Sequence, residues 1–177
     1  IRGKIGKLVF RRSDSGTVIS RVPDTAGRAP TEAQSAVRER FRLAAAYATM
    51  VQANPVALAF YAALASARRI PVRQLTMADY LNPPEVDALI GADYHGAIGD
   101  AVRVQAHDDV SVVAVSVAIR DATTHDVLEQ GPATLVVGVW TYLATTVVPA
   151  GTAVTLEATA TDRPGNTGTK SVPLTVA

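Results

Sequence analysis

The chain has no cysteine among its 177 residues. Disulfide bridges, thiolate metal sites and cysteine nucleophiles are therefore excluded together. Aromatic residues make up only 5%, with a single Trp, which leaves little to stack nucleic-acid bases on. The three histidines, His95, His107 and His125, each stand beside an aspartate, yet no two have the spacing that would aim them at one ion, so they read as surface loop residues. No apolar run approaches the ~18 residues that span a bilayer, and I-R-G-K-I-G at the start is not a signal-peptide hydrophobic region. The nucleophile elbow G-x-S-x-G, the P-loop and the dinucleotide fingerprint are all missing. The glycines of G-A-D-Y-H-G-A-I-G-D at 91–100 fall in a turn before a strand, where they cradle no phosphate. A non-enzymatic protein is the expectation.

What is present is a charge split. Lys and Arg number 17 against 16 Asp and Glu, but residues 1–75 hold 13 basic against 4 acidic, a net of +9, whereas residues 76–177 hold 4 against 12, a net of −8. Such asymmetry is a feature of polyanion-binding chains, and equally of two modules that attract one another within a chain or head to tail between chains.

Lys4 to Val22 alternates apolar and polar residues around S-D-S-G, which predicts a β-hairpin carrying Leu8, Phe10, Val18 and Val22. P-D-T-A-G-R-A-P at 23–30 has turn composition. Thr31 with Gln34 three residues on predicts a capping box, and Val37, Phe41, Ala44, Ala48 and Val51 form the apolar stripe of the helix behind it. Asn54-Pro55 stops that helix and starts a second, through Ala67, whose small apolar residues on every side predict burial on more than one face. Thr76-x-x-Asp79 reads as a second capping box opening a short third helix. After Asn82-Pro83-Pro84 the period changes from 3.6 to 2. Strands are predicted near 86–92, 101–106, 111–120, 127–130, 134–143, 152–161 and 168–176. Val113, Val115, Val117 and Ile119 share one face of the third, and Val154, Leu156, Ala158 and Ala160 one face of the sixth. The predicted class is α+β: residues 1–84 as a basic unit of a β-hairpin plus two or three helices, and residues 85–177 as an acidic antiparallel β-sandwich.

Two stretches, A-H-D-D-V-S-V-V-A-V-S-V-A-I-R-D at 106–121 and A-T-A-T-D-R-P-G-N-T-G-T at 158–169, carry a likeness. Through them the chain from about Gly99 resembles bacterial immunoglobulin-like domains, the repeated modules of surface and adhesive proteins. The first stretch corresponds to the B–C loop and strand C, the second to the end of strand F and the F–G loop. The antibody hallmarks are absent: no cysteine pair, no Trp on strand C and no tyrosine corner. The N-terminal half is similar to bacterial proteins of unknown function through T-x-x-Q-x-x-x-R-x-x-F, filled by Thr31, Gln34, Arg38 and Phe41.

The immunoglobulin-like resemblance places the B–C and F–G loops at one pole, which brings Asp108 and Asp109 near Asp162 and Asn166. That set of hard oxygens suits Ca²⁺; the competing reading is that each side chain only caps its own turn. No other cofactor is implied. Arg11, Arg12, Arg38, Arg42, Arg68 and Arg69 form the basic set, as polyanion ligands or as contacts to an acidic partner. The function expected is that of a non-enzymatic structural or protein-binding protein at a cell surface or in a phage-type assembly, with self-association or a protein partner. Nucleic-acid binding through the basic half is the alternative. The compartment does not follow from the residues.

Overall fold

The computed structural model describes residues 3–13, 16–22 and 29–177. The chain is α+β, in the expected order of hairpin, helices and sheets. It divides by contacts into two units, Ile1–Val37 and Arg38–Ala177, so the boundary expected at 84/85 falls inside the second unit. The physical reason is burial across that point: Val110, from the strand-rich part, packs against the helical cluster of Val51, Tyr61, Ala65 and Leu75.

In the first unit, β1 (Gly3–Ile5), β2 (Leu8–Ser13) and β3 (Gly16–Arg21) form an antiparallel sheet in that order. The predicted hairpin is β2–β3, and β1 is an addition. The expected turns at residues 14–15 and 23–28 lie outside the described residues. Pairing of Gly3 with Phe10, Ile5 with Leu8, Phe10 with Ile19 and Leu8 with Arg21 puts Ile5, Leu8, Phe10 and Ile19 on one face, because directly opposed residues share a side.

Helix α1 (Glu32–Ala53) opens on the predicted cap: Gln34 N–H donates to Thr31 Oγ1 and Thr31 N–H to Gln34 Oε1, both at 3.2 Å. Ala44, Ala48 and Val51 of its stripe are buried, while Val37 and Phe41 are exposed. Helix α2 (Pro55–Arg68) starts as predicted, with Asn54 accepting from the Val56 and Ala57 amides and Pro55 in the first turn. It meets α1 at a bend of 108°. Only Tyr61 and Ala65 of α2 are buried and Val56 is exposed, so its small apolar surface is less enclosed than its composition predicts. No single helix among the described residues is long and apolar enough to cross a membrane.

Helix α3 (Val72–Leu81) departs from expectation. Pro71 sits at its N-cap position, and Thr76 lies in mid-helix, its hydroxyl donating back to the Val72 and Arg73 carbonyls at 3.1 Å. Asp79 is thus not a capping residue. Leu75, Thr76 and Asp79 form the buried face instead, Asp79 lying four residues from Leu75 and three from Thr76, the spacings that neighbour one another on a helix.

The strands follow as β4 (Glu85–Asp93), β5 (Ala101–His107), β6 (Val112–Asp121), β7 (Val127–Pro132), β8 (Thr134–Val136), β9 (Val139–Leu143), β10 (Ala153–Asp162) and β11 (Thr167–Thr175). They make two four-stranded antiparallel sheets, β4-β5-β9-β8 and β11-β10-β6-β7. One core draws on both: Val86, Val102, Val104 and Tyr142 from the first, Val115, Val117, Ile119, Val154 and Leu156 from the second. That makes the arrangement a β-sandwich. Gly168 lets the approach to β4 cross β11 closely, since a Cβ there would lie 1.9 Å from the Pro84 carbonyl oxygen.

Two local findings correct the strand reading. Val113 is half exposed and not core: Thr161 pairs with Ala114 and Asp162 with Val112, so Val113 is the extra residue of a bulge. The run read as one strand over 134–143 is a hairpin, with Val137 at φ 47° and Gly138 at φ 81° joining β8 to β9. Two successive positive φ values in a two-residue loop suit Asn-Gly, and a β-branched residue is strained there. Val137→Asn is expected to raise stability by about 0.5–1 kcal/mol, read as a higher urea midpoint with unchanged slope.

Candidate functional site

Period two along β10 buries Val154, Leu156, Ala158 and Ala160, and Asp162 comes next on the same side. Its side chain is therefore carried inward at the end of the strand, where the β6 bulge sits opposite. Asp162 Oδ1 accepts from the Gly165 N–H at 2.8 Å and the Asn166 N–H at 2.6 Å, which closes the β10–β11 turn. Its Oδ2 accepts from Asn166 Nδ2 at 2.7 Å. The same amide nitrogen reaches the Asp79 and Tyr80 carbonyls at 3.4 and 3.2 Å, tying the turn to the end of α3.

Asp108 lies in the β5–β6 loop, and its Oδ2 accepts from the Val110 and Ser111 N–H groups at 2.8 and 2.9 Å. This is a side-chain-closed turn. Asp79 enters from α3, fully buried, and accepts the Tyr61 hydroxyl hydrogen on Oδ2; Tyr61 in turn lies 2.8 Å from the Tyr47 hydroxyl. One carboxylate oxygen from each of Asp79, Asp108 and Asp162 lies within 4.8 Å of the other two.

The sequence reading thus located the pole but not its full membership. Asp108, Asp162 and Asn166 are brought together as expected. Asp109 is drawn aside, where it accepts from Asn82 Nδ2 at 2.5 Å, and Asn166 turns its amide nitrogen to the acid group, so it acts as a donor. The third carboxylate is Asp79, which the capping-box reading had concealed. The alternation through Asp162 was visible in the sequence and is the signal that marks it as inward.

Electrostatics at this pole oppose ionisation. Burial, joined by the charges of Asp108 and Asp162, pushes the Asp79 carboxyl up to about 7, against a smaller lowering by the Tyr61 hydrogen bond. Burial also raises Asp162, although its bonds from Asn166 and Gly165 pull the other way. Burial raises the Tyr61 and Tyr47 hydroxyls. Arg163 does not neutralise the cluster through an ion pair: its guanidinium stands 3.8 Å over the Phe60 ring, and among the described residues none of the three aspartates has a salt bridge. Asp79 Oδ1 and Asp108 Oδ1 are buried without any hydrogen-bond partner. Oxygen is the only donor type here, so the pole offers a place for protons or for a hard cation.

The remaining candidates are dispersed. Arg11 and Arg12 lie exposed on β2, where a hollow of about 640 Å³ is lined by Lys4, Val9, Phe10 and these two arginines. Arg38 and Arg42 are one turn apart on α1, with Arg42 bound to Glu39 at 2.6 Å; Arg68 ends α2 and Arg69 caps it in the left-handed region. The last four therefore occupy two helices on either side of a 108° bend and do not share one helical face. His107 faces Asp87 at 2.9 Å, which raises it, and no histidine joins a metal-ligating group among the described residues.

No family model matches the chain, and no curated protein matches it. A crystal structure of an engineered protein is similar over 56% of this chain at 22% identity, with a TM-score of 0.41. The chain spans 21% of that structure's length, and a likeness of this extent carries no functional argument.

Proposed function

We propose that the chain is a non-enzymatic structural protein that works by protein–protein contact, and that the partner of its N-terminal sheet is a second copy of itself. One observation carries this reading: among the described residues of the first unit no side chain is buried. Ile5 is 69% and Ile19 58% exposed on a sheet face they share with Leu8 and Phe10, and a three-stranded sheet with an apolar face needs a cover to be stable. Charge favours the copy as cover. Residues 1–37 hold 7 Lys or Arg against 3 Asp or Glu, and residues 38–177 hold 10 against 13, so opposite surfaces meet in a head-to-tail contact. Such a contact builds rings or open filaments, as a surface layer or a phage-type assembly requires.

The immunoglobulin-like reading of the sandwich is supported by its strand partition. With β4 to β11 taken as A, B, C, C′, D, E, F and G, the sheets are A-B-E-D and G-F-C-C′, the immunoglobulin division. Of the six candidate arginines, nucleic-acid binding retains Arg11 and Arg12, which line one hollow with Lys4. A log–log salt slope near zero for mixed DNA removes it.

Light scattering tests the proposal. At low salt the mass is expected to rise with concentration above the 18.5 kDa of one chain, to fall back as salt is added, and to stay at one chain for Ile19→Asp. A single-chain mass at every concentration and salt would refute it.

A further inference from the structure

We propose that Asp79, Asp108 and Asp162 bind a divalent hard cation, calcium by preference, which fastens α3 to the two loops at that pole of the sandwich. The geometry fits the ion. One oxygen from each carboxylate lies within 4.8 Å of the others, and oxygens on opposite sides of a calcium ion stand about 4.6–5.2 Å apart when each bond is 2.3–2.6 Å.

The cluster differs from an ordinary patch of surface acids in what is unpaired. Every other carboxylate oxygen of the three is occupied: Asp79 Oδ2 by Tyr61, Asp108 Oδ2 by two backbone amides, and Asp162 by Gly165 and Asn166. These bonds fix the carboxyl planes. Asp79 Oδ1 and Asp108 Oδ1 are left buried with no donor from any amide or other side chain among the described residues, and the Asp79 side chain has no exposure at all. A buried acceptor without a partner costs about 1–3 kcal/mol, more when charged, and here two occur in one cluster to which, among the described residues, no cationic side chain is bonded. A dication satisfies both oxygens and offsets two of three charges. The absence of sulfur and imidazole donors disfavours zinc, and turns built on side-chain-closed loops suit the adaptable coordination of calcium over the strict octahedron of magnesium.

The ion would join three segments far apart in sequence: the end of α3, the β5–β6 loop and the β10–β11 turn. Its function is thus a staple, independent of whether the N-terminal sheet assembles with another copy.

The test uses the full chain, stripped with a chelator and titrated with calcium chloride and, separately, magnesium chloride at about pH 8, where protons compete little with the metal ion for the carboxylates. Calcium at about 1 mM, the range in which extracellular calcium modules fill, is expected to raise the melting temperature by several degrees and to give a saturable heat of binding; magnesium gives a smaller shift. Terbium bound in place of calcium should show luminescence sensitised by Tyr61, whose hydroxyl donates to Asp79 Oδ2. Asp108→Asn, in a loop, keeps the fold and lowers calcium affinity by at least about tenfold; Asp79→Asn does the same from the buried side. The proposal is overturned if the stripped wild type shows neither heat nor a melting shift, because a shared proton then accounts for the pair of free oxygens. It is equally overturned if Asp108→Asn folds and retains the full calcium response.

Discussion

Replacing Glu129 by alanine is expected to lower stability by about 3–5 kcal/mol, the cost of removing one partner from a buried, charge-assisted hydrogen-bond network. Glu129 is 5% exposed on β7. Its Oε1 accepts from the Tyr142 hydroxyl, from the Thr145 N–H and, at 3.1 Å, from the Thr145 hydroxyl; Oε2 accepts from the Thr146 N–H at 3.3 Å. One side chain therefore holds the end of β9 and the chain that leaves it. Alanine leaves the Thr145 and Thr146 N–H groups and the buried Tyr142 phenol without their carboxylate acceptor. Urea denaturation should show the midpoint falling with little change in slope. Glu129→Gln, which keeps one acceptor oxygen but sets an NH₂ against these donors, should fall between. A loss under about 1 kcal/mol for alanine would mean that water replaces the carboxylate.

The second large effect is on pH. In chelated protein, stability is expected to fall as pH rises from about 4 to about 7. Burial holds the Asp79 carboxyl near 7 in the fold against 3.8 ordinarily, so between those values the native state keeps a proton that the unfolded state has released. Stability then declines by at most about 1.4 kcal/mol per pH unit and levels off above the folded value. Asp162, also raised by burial, acts in the same direction. The groups facing Asp79 are Tyr61, Asp108 and Asp162, with Tyr47 behind Tyr61 and Arg163 on Phe60. Asp100 and Asp121, lowered by backbone N–H bonds, oppose the trend only at the acid end. Asp79→Asn should flatten the slope while leaving the acid limb in place. A wild-type profile that is flat or rising over this interval would contradict the burial argument.

These two carboxylates show where the sequence could be read and where it could not. Local signals with a backbone mechanism were legible: the Thr31–Gln34 cap, the Asn54-Pro55 restart and the alternation that buries Val154, Leu156, Ala158 and Ala160. The failures come where tertiary packing overrides a local pattern. Thr76-x-x-Asp79 has the spacing of a cap, but Pro71 had already started the helix, and the same two residues then fall on its buried face. In β7, nothing in Val127-Leu128-Glu129 marks the glutamate as inward. The pairing of Ile119 with Glu129, beside a register shift at Arg120, turns it inward. Val136-Val137-Gly138-Val139 looks like continuous strand because valine is a poor turn residue. The candidate site was found in outline from topology, since Asp108 and Asp162 meet at one pole, and its third member came from a helix that the immunoglobulin-like pattern does not include.

The measurement that bears most directly on the assembly proposal is amide hydrogen exchange along β2 and β3, followed as protein concentration is raised at low salt. If a second copy covers the Ile5, Leu8, Phe10 and Ile19 face, protection of Leu8–Ser13 and Gly16–Arg21 should grow in step with mass and vanish in Ile19→Asp. Exchange that stays fast in these strands while the mass rises, or slow while the protein is a single chain, would contradict the account.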